Sequence, residues 1–97
     1  MMQNSAAEAS MPERIHEHSA TVAGPEGTEY RVTTWGEQRA DGTWWGWLEF
    51  YPHRGSGPVL RTGQETSQPN RDALAYWATG LEPVYLEGAL QRALVVA

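Results

Sequence analysis

Cysteine and lysine are both absent from this 97-residue chain, phenylalanine occurs once, and no apolar run approaches membrane-spanning length. Without cysteine, neither disulfides nor thiolate metal sites can hold the domain together. The N-terminus has neither the basic start nor the hydrophobic stretch of a signal peptide. Those absences make a cytoplasmic protein with no membrane association the expectation. Since lysine is missing, all seven basic residues are arginines, against twelve acids, for a net charge of −5. That balance disfavours duplex DNA binding through a broad electrostatic footprint, though it leaves room for a local arginine patch.

Recognisable catalytic groupings are also lacking. His53 sits in a turn beside Arg54, with no serine or cysteine in a nucleophile context for it to activate. Gly55-Ser56-Gly57 lacks the lysine and spacing of a phosphate-binding loop. His16 and His18, two apart, do not share a helical face, and no further ligand set accompanies them. Glu82 and Glu87 are five apart, which does not stack them on a helix. Neither an enzyme nor a cofactor is expected.

What the chain does have is tryptophan: five in all, three of them within Thr43-Trp44-Trp45-Gly46-Trp47-Leu48-Glu49-Phe50-Tyr51. About seventy residues can join a core, a size that buries only roughly 60–65% of its unfolded surface. Large rings compensate, each burying roughly 150–250 Å² with few rotors to freeze.

Residues 1–27 lack sustained periodicity and are rich in Ala, Ser, Glu and Gly, so they read as a disordered N-terminal arm, with 28–97 forming the domain. Residues 29–35 alternate with a period of two, and Asp41-Gly42 closes a hairpin loop over 36–42 before a second strand at 43–51. On that strand Trp44, Gly46, Leu48 and Phe50 share one face, while Trp45, Trp47, Glu49 and Tyr51 share the other. Gly46 is expected to let a ring or helix approach the sheet. Pro52–Pro58 is a turn, and 59–62 a short third strand.

A helix is expected from about Pro69 to Thr79, capped by Thr66, Ser67 or Gln68, with Ala73, Leu74, Trp77 and Ala78 as its apolar stripe. Gly80 suits a left-handed C-terminal cap. Arg71 opposes the helix dipole there, and Glu65 is its nearest candidate partner. Pro83 starts a second helix with Leu86, Ala89, Leu90, Ala93 and Leu94 facing inward, and its last turn, Val95-Val96, as a docked end. The fold class is therefore α+β: a three-stranded antiparallel β-meander with two C-terminal helices packed on one face. The β-β-β-α order resembles that of double-stranded-RNA-binding domains in topology alone. The basic residues such domains carry at the start of the final helix are missing, since Arg71 stands alone beside Asp72.

Two short helices cover one sheet face, so aromatic area on the other face needs a second cover. Trp45, Trp47 and Tyr51, flanked by Trp35, Arg31 and Arg61, form the candidate site. These residue types suit a protein-interaction hot spot, with a second copy of the chain (a homodimer) as the expected partner. The same rings and arginines are also a recipe for stacking single-stranded nucleic acid.

Overall fold

The computed structural model describes residues 11–54 and 57–96. Part of the expected arm and the tip of the expected 52–58 turn therefore lie outside the described residues. Five strands are followed by two helices: β1 (Glu13–Ala23), β2 (Glu29–Gln38), β3 (Trp44–Pro52), β4 (Leu60–Arg61), β5 (Thr66–Gln68), α1 (Arg71–Thr79) and α2 (Pro83–Val96). All pairings are antiparallel, in the order β1-β2-β3-β4, with β5 also pairing with β3. This is the expected α+β meander with C-terminal helices, enlarged by one strand at each edge.

The arm is where the sequence reading needs correction, because residues 13–23 form an eleven-residue strand. Its pairing with β2 shifts register between Arg14 and His16 and again between Glu17 and Thr21. The first shift inserts one residue and reverses the side-chain phase, whereas the second inserts two and preserves it. The inward positions from His16 to Val22 are His, His, Ala and Val, too weakly apolar for the sequence to display their alternation. β1 is held by β2 and by Val22, which joins the core, rather than by its own propensity. A 3-10 turn at Pro25–Gly27 leads into β2.

The β2–β3 hairpin is in uninterrupted register from Tyr30↔Pro52 to Gln38↔Trp44. Its loop is shorter than the sequence suggested. Arg39 donates its amide to the Thr43 carbonyl at 2.7 Å, and Asp41 accepts from both the Thr43 amide and hydroxyl. Gly42 takes a positive φ of 91°, the role its Asp-Gly position implied.

Beyond β3 the polar stretch 63–68 also differs from a simple capping loop. Its end becomes β5, paired Trp44↔Gln68 through Gly46↔Thr66. Between β4 and β5 the Thr62 hydroxyl accepts the Leu48 amide at 3.0 Å, and the Thr62 amide donates to the Leu48 carbonyl at 2.9 Å. The edge of β3 is therefore satisfied where no regular strand covers it. Asn70, not an earlier residue, caps α1 by accepting from the Ala73 amide. Gly80 ends α1 with φ −90°, so the left-handed cap expected there is not used.

The core lies between the helices and the sheet face of Trp44, Leu48 and Phe50, and includes Val22, Val32, Leu60, Leu86, Ala89, Leu90 and Ala93. Leu74 is fully buried where Gly36 and Gly46 stand opposite each other on β2 and β3. A Cβ on Gly46 would come within 2.7 Å of the Leu74 side chain, and one on Gly36 would collide with it as well. The glycine pair is thus the seat of α1. The end of α2 is not docked: Val95 and Val96 are exposed.

Glu65, expected to answer Arg71, has other partners. Its side chain is only 8% exposed and accepts from the Tyr85 hydroxyl at 2.5 Å and from Arg92 at 2.6 and 3.2 Å. Arg71 reaches instead to Glu13 on β1, at 3.0 Å. That tie spans the expected arm and the domain.

Candidate interaction face

The face of the sheet away from the helices gathers every residue singled out from the sequence. Register places Trp35 directly opposite Trp47, Arg31 opposite Tyr51, Glu37 opposite Trp45, and Arg61 opposite Glu49. Alternation along β3 then lines up Trp45, Trp47, Glu49 and Tyr51, because Trp44, Leu48 and Phe50 are spent on the core.

These rings are not bare. Arg39 lies over Trp45 with Cζ 3.9 Å from the ring centroid, and Arg61 over Trp47 at 4.3 Å. Arg31 stands 6.0 Å from the Tyr51 centroid and Arg14 5.6 Å from that of Trp35. Four of the seven arginines are laid on one face, each against a different ring. Trp47, with Arg61 over it and Trp35 opposite, is only 5% exposed although it points away from the helices. Each such contact is worth about 0.5–1 kcal/mol at an exposed site.

Glu49 organises the polar edges of the same rings. It accepts from the Tyr51 hydroxyl at 2.6 Å and from the Trp47 indole N–H at 3.1 Å. Tyr51 in turn accepts from the Trp35 indole N–H at 2.9 Å. The chain Trp35–Tyr51–Glu49–Trp47 fixes ring orientation across both strands. Burial and the neighbouring Glu49 carboxylate raise the Tyr51 hydroxyl above its usual range. It therefore remains a protonated donor at neutral pH.

The charge pattern is uneven. Arg14 pairs with Glu17 at 2.9 Å. Arg31, Arg39 and Arg61 have no ion-pair partner among the described residues. Glu17, Glu29, Glu37 and Glu49 are the acids of this face by alternation, so within a chain of net charge −5 it carries as many carboxylates as arginines, three of the arginines being unpaired among the described residues.

Sequence reasoning brought out six residues of this face and missed three. Arg14 was hidden in the supposed arm. Arg39 belongs to the hairpin loop, and its two-residue spacing from Glu37 is the one signal that put it on this side. Glu49 was legible by alternation as a neighbour of Trp47 and Tyr51, but its role as a shared acceptor depends on side-chain geometry.

At one end of the face, where β1 departs from β2, a cleft of about 190 Å³ is lined by Arg14, Glu17, His18, Arg31, Thr33 and Tyr51, with Val32 at its side. The His18 Nε2 lies 2.8 Å from the Thr34 hydroxyl. Burial, and secondarily the neighbouring His16, pull its pKa down to about 4. His18 is therefore neutral at pH 7. Among the described residues no group of three or more histidines, cysteines and carboxylates could hold a metal ion, and no helix is long and apolar enough to cross a membrane. No family model, curated protein or solved structure matches the chain.

Proposed function

We propose that this is a non-enzymatic protein-docking domain that receives an acidic segment of a partner protein on its arginine-covered sheet face. The observation that carries this reading is the placement of Arg39 and Arg61 on Trp45 and Trp47. A guanidinium lying on a ring occupies the surface on which a base would stack, which counts against single-stranded nucleic acid. The same contact orients the guanidinium plane and leaves its N–H edge free, the arrangement that takes a carboxylate bidentately. Discrete carboxylates of a peptide can also sit between Glu17, Glu29, Glu37 and Glu49, whereas a continuous phosphate backbone runs past all four. Self-association drew its support from bare ring area, and the arginines remove much of that area.

The test is a titration of the full chain with a blocked hexapeptide of alternating Asp and Val, followed by arginine Nε–H and tryptophan indole NMR signals. A parallel titration uses an oligothymidylate of equal charge, and sedimentation reports the oligomeric state. The reading expects saturable shifts at Arg39, Arg61, Trp45 and Trp47, lost in Arg39→Gln plus Arg61→Gln, with a monomer throughout. Tighter binding of the oligothymidylate, a concentration-dependent dimer, or no response on this face would each overturn it.

A further inference from the structure

The break in the β1–β2 ladder opens a site whose charge and shape suit one kind of group. Glu17 pairs with Thr33 and Thr21 with Arg31, so His18, Ser19 and Ala20 stand opposite Val32 alone. Such a three-against-one bulge pushes β1 away from β2 and aims nearby side chains into the gap. Arg14 and Arg31 line the resulting cleft of about 190 Å³ from opposite strands, with Glu17, His18 and Tyr51 around them.

We infer that this cleft is a carboxylate-binding subsite, the anchor for an aspartate, glutamate or C-terminal carboxylate of the docked protein. The source of the carboxylate rests on the docking reading above, whereas the site itself rests on the bulge. Two guanidiniums against the one carboxylate of Glu17 leave a single positive charge, which a monoanion neutralises. A phosphate dianion would leave net negative charge beside Glu17. Arg31 has no ion-pair partner among the described residues and is held against the Tyr51 ring. Its guanidinium is the main ligand. The Tyr51 hydroxyl is already committed, donating to Glu49 and accepting from Trp35, so it fixes the wall and leaves recognition to the arginines. His18 is neutral and turned to Thr34, and adds no third cation to attract a dianion.

Glu17 occupies Arg14 at 2.9 Å, and in this arrangement it is an internal competitor that the incoming carboxylate displaces. Removing it should therefore tighten binding, an effect that a purely structural role for the pair would not produce.

The probe is N-acetyl-aspartate N-methylamide, a monoanion, titrated against the full chain while arginine Nε–H signals are followed by NMR. Saturable shifts are expected at Arg31 and Arg14 and at the Trp35 indole. Arg31→Gln should raise Kd at least tenfold, Arg31→Lys less, Glu17→Gln should lower it about threefold, and Arg39→Gln should leave it unchanged. Thermal melts check that each variant stays folded; Arg31 and Glu17 are exposed, so they should. Absence of saturable shifts, an Arg31→Gln variant with unchanged Kd, or tighter binding of inorganic phosphate at matched ionic strength would overturn the site. If the acidic hexapeptide shifts Arg39 and Arg61 but spares Arg14 and Arg31, the docking reading survives and the subsite fails. The opposite pattern upholds the subsite and removes the docking reading.

Discussion

Arg61 on β4 lies over the indole of Trp47 on β3, an outward-facing ring that is nearly buried. Trp45, two residues earlier on the same face, is less deeply buried under Arg39. The two tryptophans should therefore respond differently to truncation. Trp47→Ala is expected to cost about 3–5 kcal/mol, the range for a buried tryptophan, the Glu49 hydrogen bond being lost as well. Trp45→Ala should cost about 1 kcal/mol, within the ordinary range of single substitutions. Chemical denaturation of the two single variants measures both. Equal losses would mean that the deeper burial of Trp47 adds nothing to stability.

The opposed glycines Gly36 and Gly46 give a second prediction. Each lacks the Cβ that would strike Leu74, so α1 sits closer to the sheet than any side chain would allow. Gly46→Ala is expected to destabilise by about 1–3 kcal/mol through overpacking. Leu74→Ala should cost about 2–5 kcal/mol through the cavity it leaves. The double variant should be more stable than the sum of the two losses implies, because the added methyl enters the vacated space. A double-mutant cycle reads the coupling directly. Strict additivity would show that the close approach of α1 does not depend on this pair.

The part of the fold that could be read from the chain was the part with regular phase. The 43–51 stretch keeps strict alternation, so its faces were assignable from the sequence, and Gly46 was identifiable as a point of close approach. The apolar stripes of both helices were likewise legible from their spacing. β1 was not, since its inward positions after the first bulge are His16, His18 and Ala20, and Val22 is its one buried hydrophobe among the described residues. β5 is three residues long and made of Thr, Ser and Gln; it exists because β3 has an open edge beside it. On the candidate face the residue types were evident, but whether rings lay bare or beneath arginines depended on cross-strand neighbours.

Tyr85 links α2 to the loop ahead of β5 through Glu65. Burial, and then the Glu65 carboxylate, push its hydroxyl up to about 12, against an ordinary value of 10.0. A pKa raised on folding means that the unfolded chain releases its proton first. Stability from this tyrosine is complete below pH 10 and is lost as pH rises from about 10 to about 12. Thermal melts across that interval should fall more steeply for the wild type than for Tyr85→Phe. At neutral pH the variant should lose about 1–2 kcal/mol, since Glu65 keeps Arg92 but forfeits one hydrogen bond. Ultraviolet difference titration of the two proteins would show the missing tyrosinate step near pH 12; a step near pH 10 would contradict the Glu65 contact.

His18 makes the acid side of the stability curve specific to β1. Its pKa falls from 6.5 to about 4 on folding, chiefly by burial and then by the proximity of His16. The unfolded chain therefore takes up a proton that the folded one refuses. The contribution of neutral His18 is whole above pH 6.5 and declines as pH falls from 6.5 towards 4. Because the ring is only about half-buried, solvent screening limits the loss to about 1–2 kcal/mol, or several degrees in Tm for a domain of this size. The loss should be absent in His18→Gln, whose amide can still meet the Thr34 hydroxyl. Hydrogen exchange localises the effect. Amides of β1 should lose protection between pH 6.5 and 4 before those of β3 do, because β1 is tied to β2 through a ladder already broken on both sides of the His16–Glu17 pair. A wild type and a His18→Gln variant with parallel acid profiles would show that the imidazole titrates freely and that β1 is not anchored through it.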